Sequence, residues 1–88
     1  MKSVATDRFW RLYEALPLAI QRKARKAFRL WLKDHAHPSL EFKKVGKVWS
    51  ARVDDDYRVV ADVRGDTAYW FFIGTHQGYD RLLKQFRR

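Results

Sequence analysis

Arg52, Arg58 and His76 are the side chains of this 88-residue chain best able to do chemistry together. Arginine binds a phosphate in planar, bidentate form, and histidine takes up or gives away protons near neutral pH. Lys43, Lys44 and Lys47 lie just upstream of the arginines, and Tyr79 and Asp80 follow the histidine. Cleavage of RNA by its own 2′-hydroxyl needs a proton acceptor, cations for the charge that builds on phosphorus, and a proton donor for the leaving 5′ oxygen. The set suits that metal-free phosphodiester chemistry: Arg52, Arg58 and His76 act at the phosphate, the three lysines bind RNA, and Tyr79 stacks on a base. Each residue also has a plainer use. The arginines can form surface ion pairs with Asp54, Asp55 and Asp56, which contribute little. His76 can bond the backbone at a strand end, and Tyr79 can pack a helix against a sheet.

Other chemistries lack their residues. The chain has no cysteine, which removes disulfides, thiolate metal sites and a thiol nucleophile together. His35 and His37 fall in a loop far from His76, and no carboxylate cluster has ligand spacing, so no metal is expected. A triad written on paper as Ser50, His76 and Asp80 lacks a nucleophile elbow around the serine. The four glycines form no phosphate-binding loop, and no cofactor is implied.

These residues must be positioned by a hairpin. Trp49, Ala51 and Val53 alternate with Ser50, Arg52 and Asp54, and Tyr57, Val59, Ala61 and Val63 alternate with Arg58, Val60, Asp62 and Arg64. Two short strands joined by the aspartate turn place both arginines on one face, with Asp62 available to orient Arg58. Upstream, Thr6 and Asp7 open a helix carrying Phe9, Leu12, Tyr13 and Leu16. Pro17 opens a second, with Ile20, Ala24, Ala27, Phe28 and Trp31 inward and Arg22, Lys23, Arg25, Lys26, Arg29 and Lys33 on its other side. That helix should stop near Asp34, ahead of Pro38. Leu40–Val45 reads as a strand, Thr67–Ile73 as a central strand, and 76–86 as a C-terminal helix. The expectation is one α+β domain over residues 1–88: a helical hairpin on one face of a three- to four-stranded antiparallel sheet, with a short C-terminal helix.

Charge is the strongest global feature, 19 Lys plus Arg against 10 Asp plus Glu for a net +9, and it calls for an anionic partner. No segment is long and apolar enough for a membrane span, and the N-terminus lacks the apolar stretch of a signal peptide, so a cytoplasmic address is expected.

The run WSARVDDDYRVVADV resembles the central hairpin of the RelE/ParE toxins of bacterial type II toxin–antitoxin systems, especially the WSxR, short turn, [HY]R[LV]V pattern of YoeB-like members. The ending WFFIGTHQGYDRLL is similar to the WIGxHxxYDxLL ending of ParE-like and HigB-like relatives. The upstream LPLAIQRKARKAFRLWLKDHAHPSLEFKKV resembles their helix, HPSL turn and basic strand. The resemblance implies a small basic toxin, often a ribosome-dependent mRNA endonuclease held inactive by an antitoxin. By the same resemblance Arg58 is the arginine that contacts the scissile phosphate, Arg52 the basic residue of the preceding strand, and His76 a proton-transfer histidine. Two features depart from the pattern: Met1–Asp7 is short and polar where the family has a strand, and the carboxylate base of YoeB-like members has no clear counterpart, although Glu41 lies near the place. The other branch of the superfamily implies a different target, DNA gyrase inhibited without chemistry. A non-catalytic basic module that binds nucleic acid is the third reading. Both toxin readings imply an acidic, partly disordered antitoxin segment as partner.

Overall fold

The computed structural model describes residues 1–86. Lys2–Ala5 forms β1, Asp7–Glu14 α1 and Leu18–Lys33 α2; a 3-10 turn at Pro38–Leu40 leads to β2 (Lys43–Val45), β3 (Val48–Arg52), β4 (Tyr57–Arg64), β5 (Thr67–Thr75) and α3 (His76–Phe86). The strands make one sheet in the order β1-β5-β4-β3-β2. All neighbours are antiparallel except β1, which runs parallel to β5.

The α+β class, the helical hairpin and the C-terminal helix are as expected, but the sheet has five strands. The added one is the polar N-terminus. It carries little alternation of its own and is held by distant partners: Lys2 to Ala5 pair with Thr67 to Trp70, and the Trp70 indole N–H donates to Ser3 Oγ at 2.9 Å. Thr6 then turns the chain into α1. Its Oγ1 accepts the Phe9 N–H at 3.2 Å, an N-cap, and donates to the Trp70 carbonyl at 3.0 Å. Gln21 closes the helical hairpin from α2, donating to the carbonyls of Tyr13 and Leu16 at 3.2 Å each. The Tyr13 carbonyl, in the last turn of α1, also accepts the Leu16 N–H at 3.0 Å.

The strand expected over Leu40–Val45 begins only at Lys43. Pro38–Leu40 winds into the 3-10 turn, capped by His37 Nδ1 accepting the Ser39 N–H at 3.2 Å. Glu41 behind it has φ +46°, a left-handed conformation that no strand residue takes.

The helices do not share one face. Trp31 of α2 packs with Leu40, Ala51, Ala61, Ala68 and Trp70, joined by Phe9 of α1. Tyr79, Leu82 and Leu83 of α3 pack on Val48 and Val60, which alternation places on the opposite face. A bulge enlarges this second cluster. Ala61 pairs with Trp70 and Val60 with Phe72, so Phe71 is the extra residue, and Phe71 and Phe72 both join the α3 cluster.

Trp31 is the hub of the first face, only 3% exposed, with its ring edge-on to Trp70 at 5.3 Å and to Phe42 at 5.7 Å. Its indole N–H is buried without an acceptor among the described residues, so its stabilisation comes from area and packing alone. Trp31→Ala should therefore lower the unfolding free energy by about 3–5 kcal/mol, whereas Trp31→Phe should lose markedly less because no hydrogen bond goes with the ring. Urea titration checks both, and equal losses would mean that the indole N–H is paired in solution.

Candidate active site

Arg52 and Arg58 are direct cross-strand partners at the end of the β3–β4 hairpin. Like charges so placed repel, and the aspartate turn offsets this. The Asp55 carboxylate pairs with the Arg52 guanidinium, and Arg58 Nη1 donates to the carbonyls of Asp54 and, at 3.0 Å, Tyr57. Asp62 does not orient Arg58, contrary to expectation. It takes Arg64 Nε at 2.9 Å, because its place in the strand lies beside Tyr69 and away from the turn. The turn is built on Asp54, whose Oδ1 accepts the N–H groups of Asp56 at 2.8 Å and Tyr57 at 2.9 Å. Its Oδ2 takes Lys23 Nζ of α2 at 3.1 Å. Partial burial opposes ionisation of Asp54, but the Asp56 N–H, the bond and charge of Lys23 and the Tyr57 N–H outweigh it and hold the pKa below its ordinary 3.8.

The same turn fixes His76. Its backbone N–H donates to the Asp56 carbonyl at 2.8 Å, which brings the start of α3 against the hairpin. His76 Nδ1 lies 3.1 Å from Asp80 Oδ2, and the Tyr79 ring meets the imidazole edge-on at 5.7 Å. Gly74 is the cross-strand partner of Arg58, and a Cβ there would come within 2.8 Å of Phe72 Cζ, so the position has no room for a side chain unless that ring moves.

Arg52, Arg58 and His76 thus converge on one polar hollow of about 90 Å³, together with Glu41, Lys43, Ser50 and Tyr79. Lys43 reaches it because it pairs with Ser50 on that face. Lys44, one residue on, pairs with Trp49 and points to the other side, and Lys47 stands exposed in the β2–β3 turn. Tyr79, expected to stack on a base, is 7% exposed and packs α3 on the sheet, its hydroxyl donating to the buried Ser50 Oγ at 3.0 Å. That bond also disposes of the paper triad, since Ser50 faces tyrosine and the histidine faces Asp80. Glu41 enters the hollow because its left-handed backbone breaks the run into β2; sequence spacing carries no signal for that. Of the six cations on the polar side of α2, Lys23 is tied to Asp54 and Arg25 Nε donates to the Tyr13 hydroxyl at 2.6 Å. Arg22, Lys26, Arg29 and Lys33 stand exposed. A larger cavity of about 150 Å³ lies between the helical hairpin and the sheet, walled by Phe9, Trp10, Tyr13, Phe28 and Trp31. It offers no carboxylate or imidazole, which leaves the polar hollow as the candidate site. No group of three or more metal-ligating residues occurs among the described residues.

Over residues 18–81 the chain matches the family described as ParE-like toxin domain. The fold is that of several solved toxins. RelE in the RelB–RelE antitoxin–toxin complex from Methanococcus jannaschii aligns with a TM-score of 0.70 at 17% identity, covering 89% of this chain and 96% of that one. A YoeB/ParE toxin from Agrobacterium tumefaciens aligns with a TM-score of 0.59 at 21% identity, covering 86% and 99%. The isolated Escherichia coli RelE toxin aligns with a TM-score of 0.62 at 12% identity, covering 96% of both chains. A search of curated protein sequences finds no match.

Asp54 makes a pH prediction. Its folded-state pKa lies below the unfolded value of 3.8, so its contribution is complete at pH well above 3.8 and is lost as pH falls through the folded value. Lys23 is 56% exposed, which limits the ion pair, and the whole effect of Asp54→Asn at pH 6 should be on the order of 1 kcal/mol. The gap in urea midpoint between wild type and Asp54→Asn should shrink from pH 6 to pH 3; a constant gap would show that ionisation of Asp54 is not what holds the turn.

Proposed function

Because the chain belongs to the ParE-like toxin domain family, within the RelE/ParE superfamily of type II toxin–antitoxin systems, we propose that it is an endoribonuclease that cuts mRNA on the ribosome and so stops translation. The observation that carries this reading is the convergence of two guanidiniums, a carboxylate and an imidazole on one small polar hollow. A gyrase inhibitor acting without chemistry has no need of that set.

Each step of metal-free cleavage then has a group. The Glu41 carboxylate takes the proton of the ribose 2′-hydroxyl, and the 2′ oxygen attacks phosphorus. Arg52 and Arg58 bear the added negative charge of the phosphorane; their positions are set before substrate arrives, so little reorganisation opposes the reaction. The P–O5′ bond breaks, and His76 as imidazolium gives its Nε2 proton to the departing 5′ oxygen. The products are a 2′,3′-cyclic phosphate and a 5′-hydroxyl. Lys43 lies at the wall of the hollow to hold the neighbouring backbone, with Lys44 and Lys47 beyond it as general phosphate contacts. Inhibition falls to a cognate antitoxin: the M. jannaschii homologue was crystallised with RelB, and a net charge of +9 suits an acidic segment.

A translation extract followed by primer extension on the mRNA tests the reading. Wild type should produce cuts at ribosome-occupied codons, and Arg58→Ala, Glu41→Gln and His76→Ala should each lower cleavage at least ~100-fold. Intact mRNA together with inhibited gyrase supercoiling would replace the nuclease by the gyrase reading. Wild-type poisoning by both Arg58→Ala and His76→Ala would sink the site.

A further inference from the structure

Resting on the nuclease reading only for its catalytic consequence, we propose that Asp80 is a positioning residue that fixes the tautomer of His76 and presents Nε2 to the polar hollow. A neutral imidazole carries its proton on one nitrogen or the other, and free in water it prefers Nε2. A general acid or base on α3 is useful only if the nitrogen facing the substrate is the one free to exchange a proton. In this chain Nδ1 is 3.1 Å from Asp80 Oδ2, and an ionised carboxylate only accepts, so the proton belongs on Nδ1. Nε2 is then the free nitrogen of a residue that walls the hollow.

Spacing and anchoring support the assignment. His76 and Asp80 are four apart on one helix, hence on the same face. The His76 backbone is held by its N–H bond to Asp56, and Tyr79 packs edge-on against the imidazole. The other charged groups at the hollow are Arg52, Arg58 and Lys43, which cannot accept from Nδ1, and Glu41. Asp80 lies past the first turn of α3, where a carboxylate gains little from the helix dipole, so a purely structural use of it is poorly motivated. The two side chains are 48% and 56% exposed. Water therefore competes, and the role of Asp80 is orientation, not a large share of stability.

The test is a long-range 1H–15N correlation spectrum of histidine-labelled protein at pH 8, followed by kinetics. Wild type should show His76 mainly as the Nδ1–H tautomer. Asp80→Asn, whose amide oxygen can still accept, should keep it, while Asp80→Ala should revert to the Nε2–H form. In cleavage, Asp80→Ala should lower kcat about 10-fold with KM little changed, the order seen when an outer partner of a functional histidine is lost. Asp80→Asn should restore most of that activity. A wild-type Nε2–H tautomer, or an Asp80→Ala spectrum like that of wild type, would overturn the assignment. Cleavage by His76→Ala at the wild-type rate would instead remove His76 from the cleavage step, and intact mRNA with wild type would overturn the nuclease reading; either would leave the tautomer result standing.

Discussion

Asp54 is where three parts of the molecule meet. One carboxylate oxygen closes the turn on the N–H groups of Asp56 and Tyr57, the other takes Lys23 from α2, and its carbonyl accepts from Arg58. Two residues on, the Asp56 carbonyl holds the first N–H of α3. No single bond here is strong. The neutral bond from His76 to Asp56 contributes about 0.5–1.5 kcal/mol, each bond to the Asp54 carboxylate or from the Arg58 guanidinium about 1.5–3 before solvent screening, and the exposed ion pair no more than ~1. They share one short loop, however, so a shift of the loop breaks several at once. The arginine pair depends on this most, because two guanidiniums facing each other across a hairpin gain nothing from one another. The acidity of the turn, which looks at odds with a site for phosphate, is what allows two cations to stand side by side in the free protein.

A sheet covered on both faces explains why the site sits where it does. The central strands are held by the Trp31 cluster above and the Tyr79 cluster below, with Val60 and Ala61 fully buried. The hollow lies at the margin of that rigid centre, where the hairpin ends and α3 begins. Tyr79 and Ser50, bonded to each other, line it together with Lys43 of the short edge strand. The residues lining the hollow are thus carried on strand ends and a helix start, supported by core, and among them Glu41 stands on irregular backbone. Its left-handed conformation is a small local cost of the kind that persists where surrounding structure enforces it. Here Leu40, 2% exposed, pins the preceding turn.

What the sequence made legible follows from range. The hairpin, the cap at Thr6, the break at Asp34 and the shared face of Arg52 and Arg58 all rest on alternation, caps and turns, which are local, and they stand in the structure. The misses are long-range or geometric. β1 has no pattern of its own and exists through pairing with residues more than sixty positions away. The placement of α3 opposite the other helices is a tertiary contact, and the bulge at Phe71 that puts two consecutive phenylalanines in its cluster has no local signature. Glu41 could be noted by nearness but not placed, because a positive φ on glutamate has no sequence signature. Tyr79 shows the reverse error: an aromatic beside His76 suggested stacking, and its burial and its hydroxyl bond to Ser50 show a packing role.

Under the nuclease reading, the distribution of charge bears on what kind of RNA this surface fits. Arg22, Lys26, Arg29 and Lys33 recur along one line of α2 at helical spacing and stand exposed, while Lys23 and Arg25 are committed to Asp54 and Tyr13. Helix α2 covers the opposite face of the sheet from α3, and its Lys23 reaches the Asp54 turn, so the line starts near the hairpin end and extends along α2 over about 16 Å. A short RNA threaded into the hollow would leave most of those cations unused, at most drawn in by their field, which fades over about 8 Å at physiological salt. A partner presenting phosphates on several sides engages both regions at once, and the two contacts reinforce each other as linked sites do. The surface therefore suits an mRNA presented within a larger anionic assembly better than a free strand. Under the nuclease reading that is the physical reason to expect cleavage to depend on the ribosome.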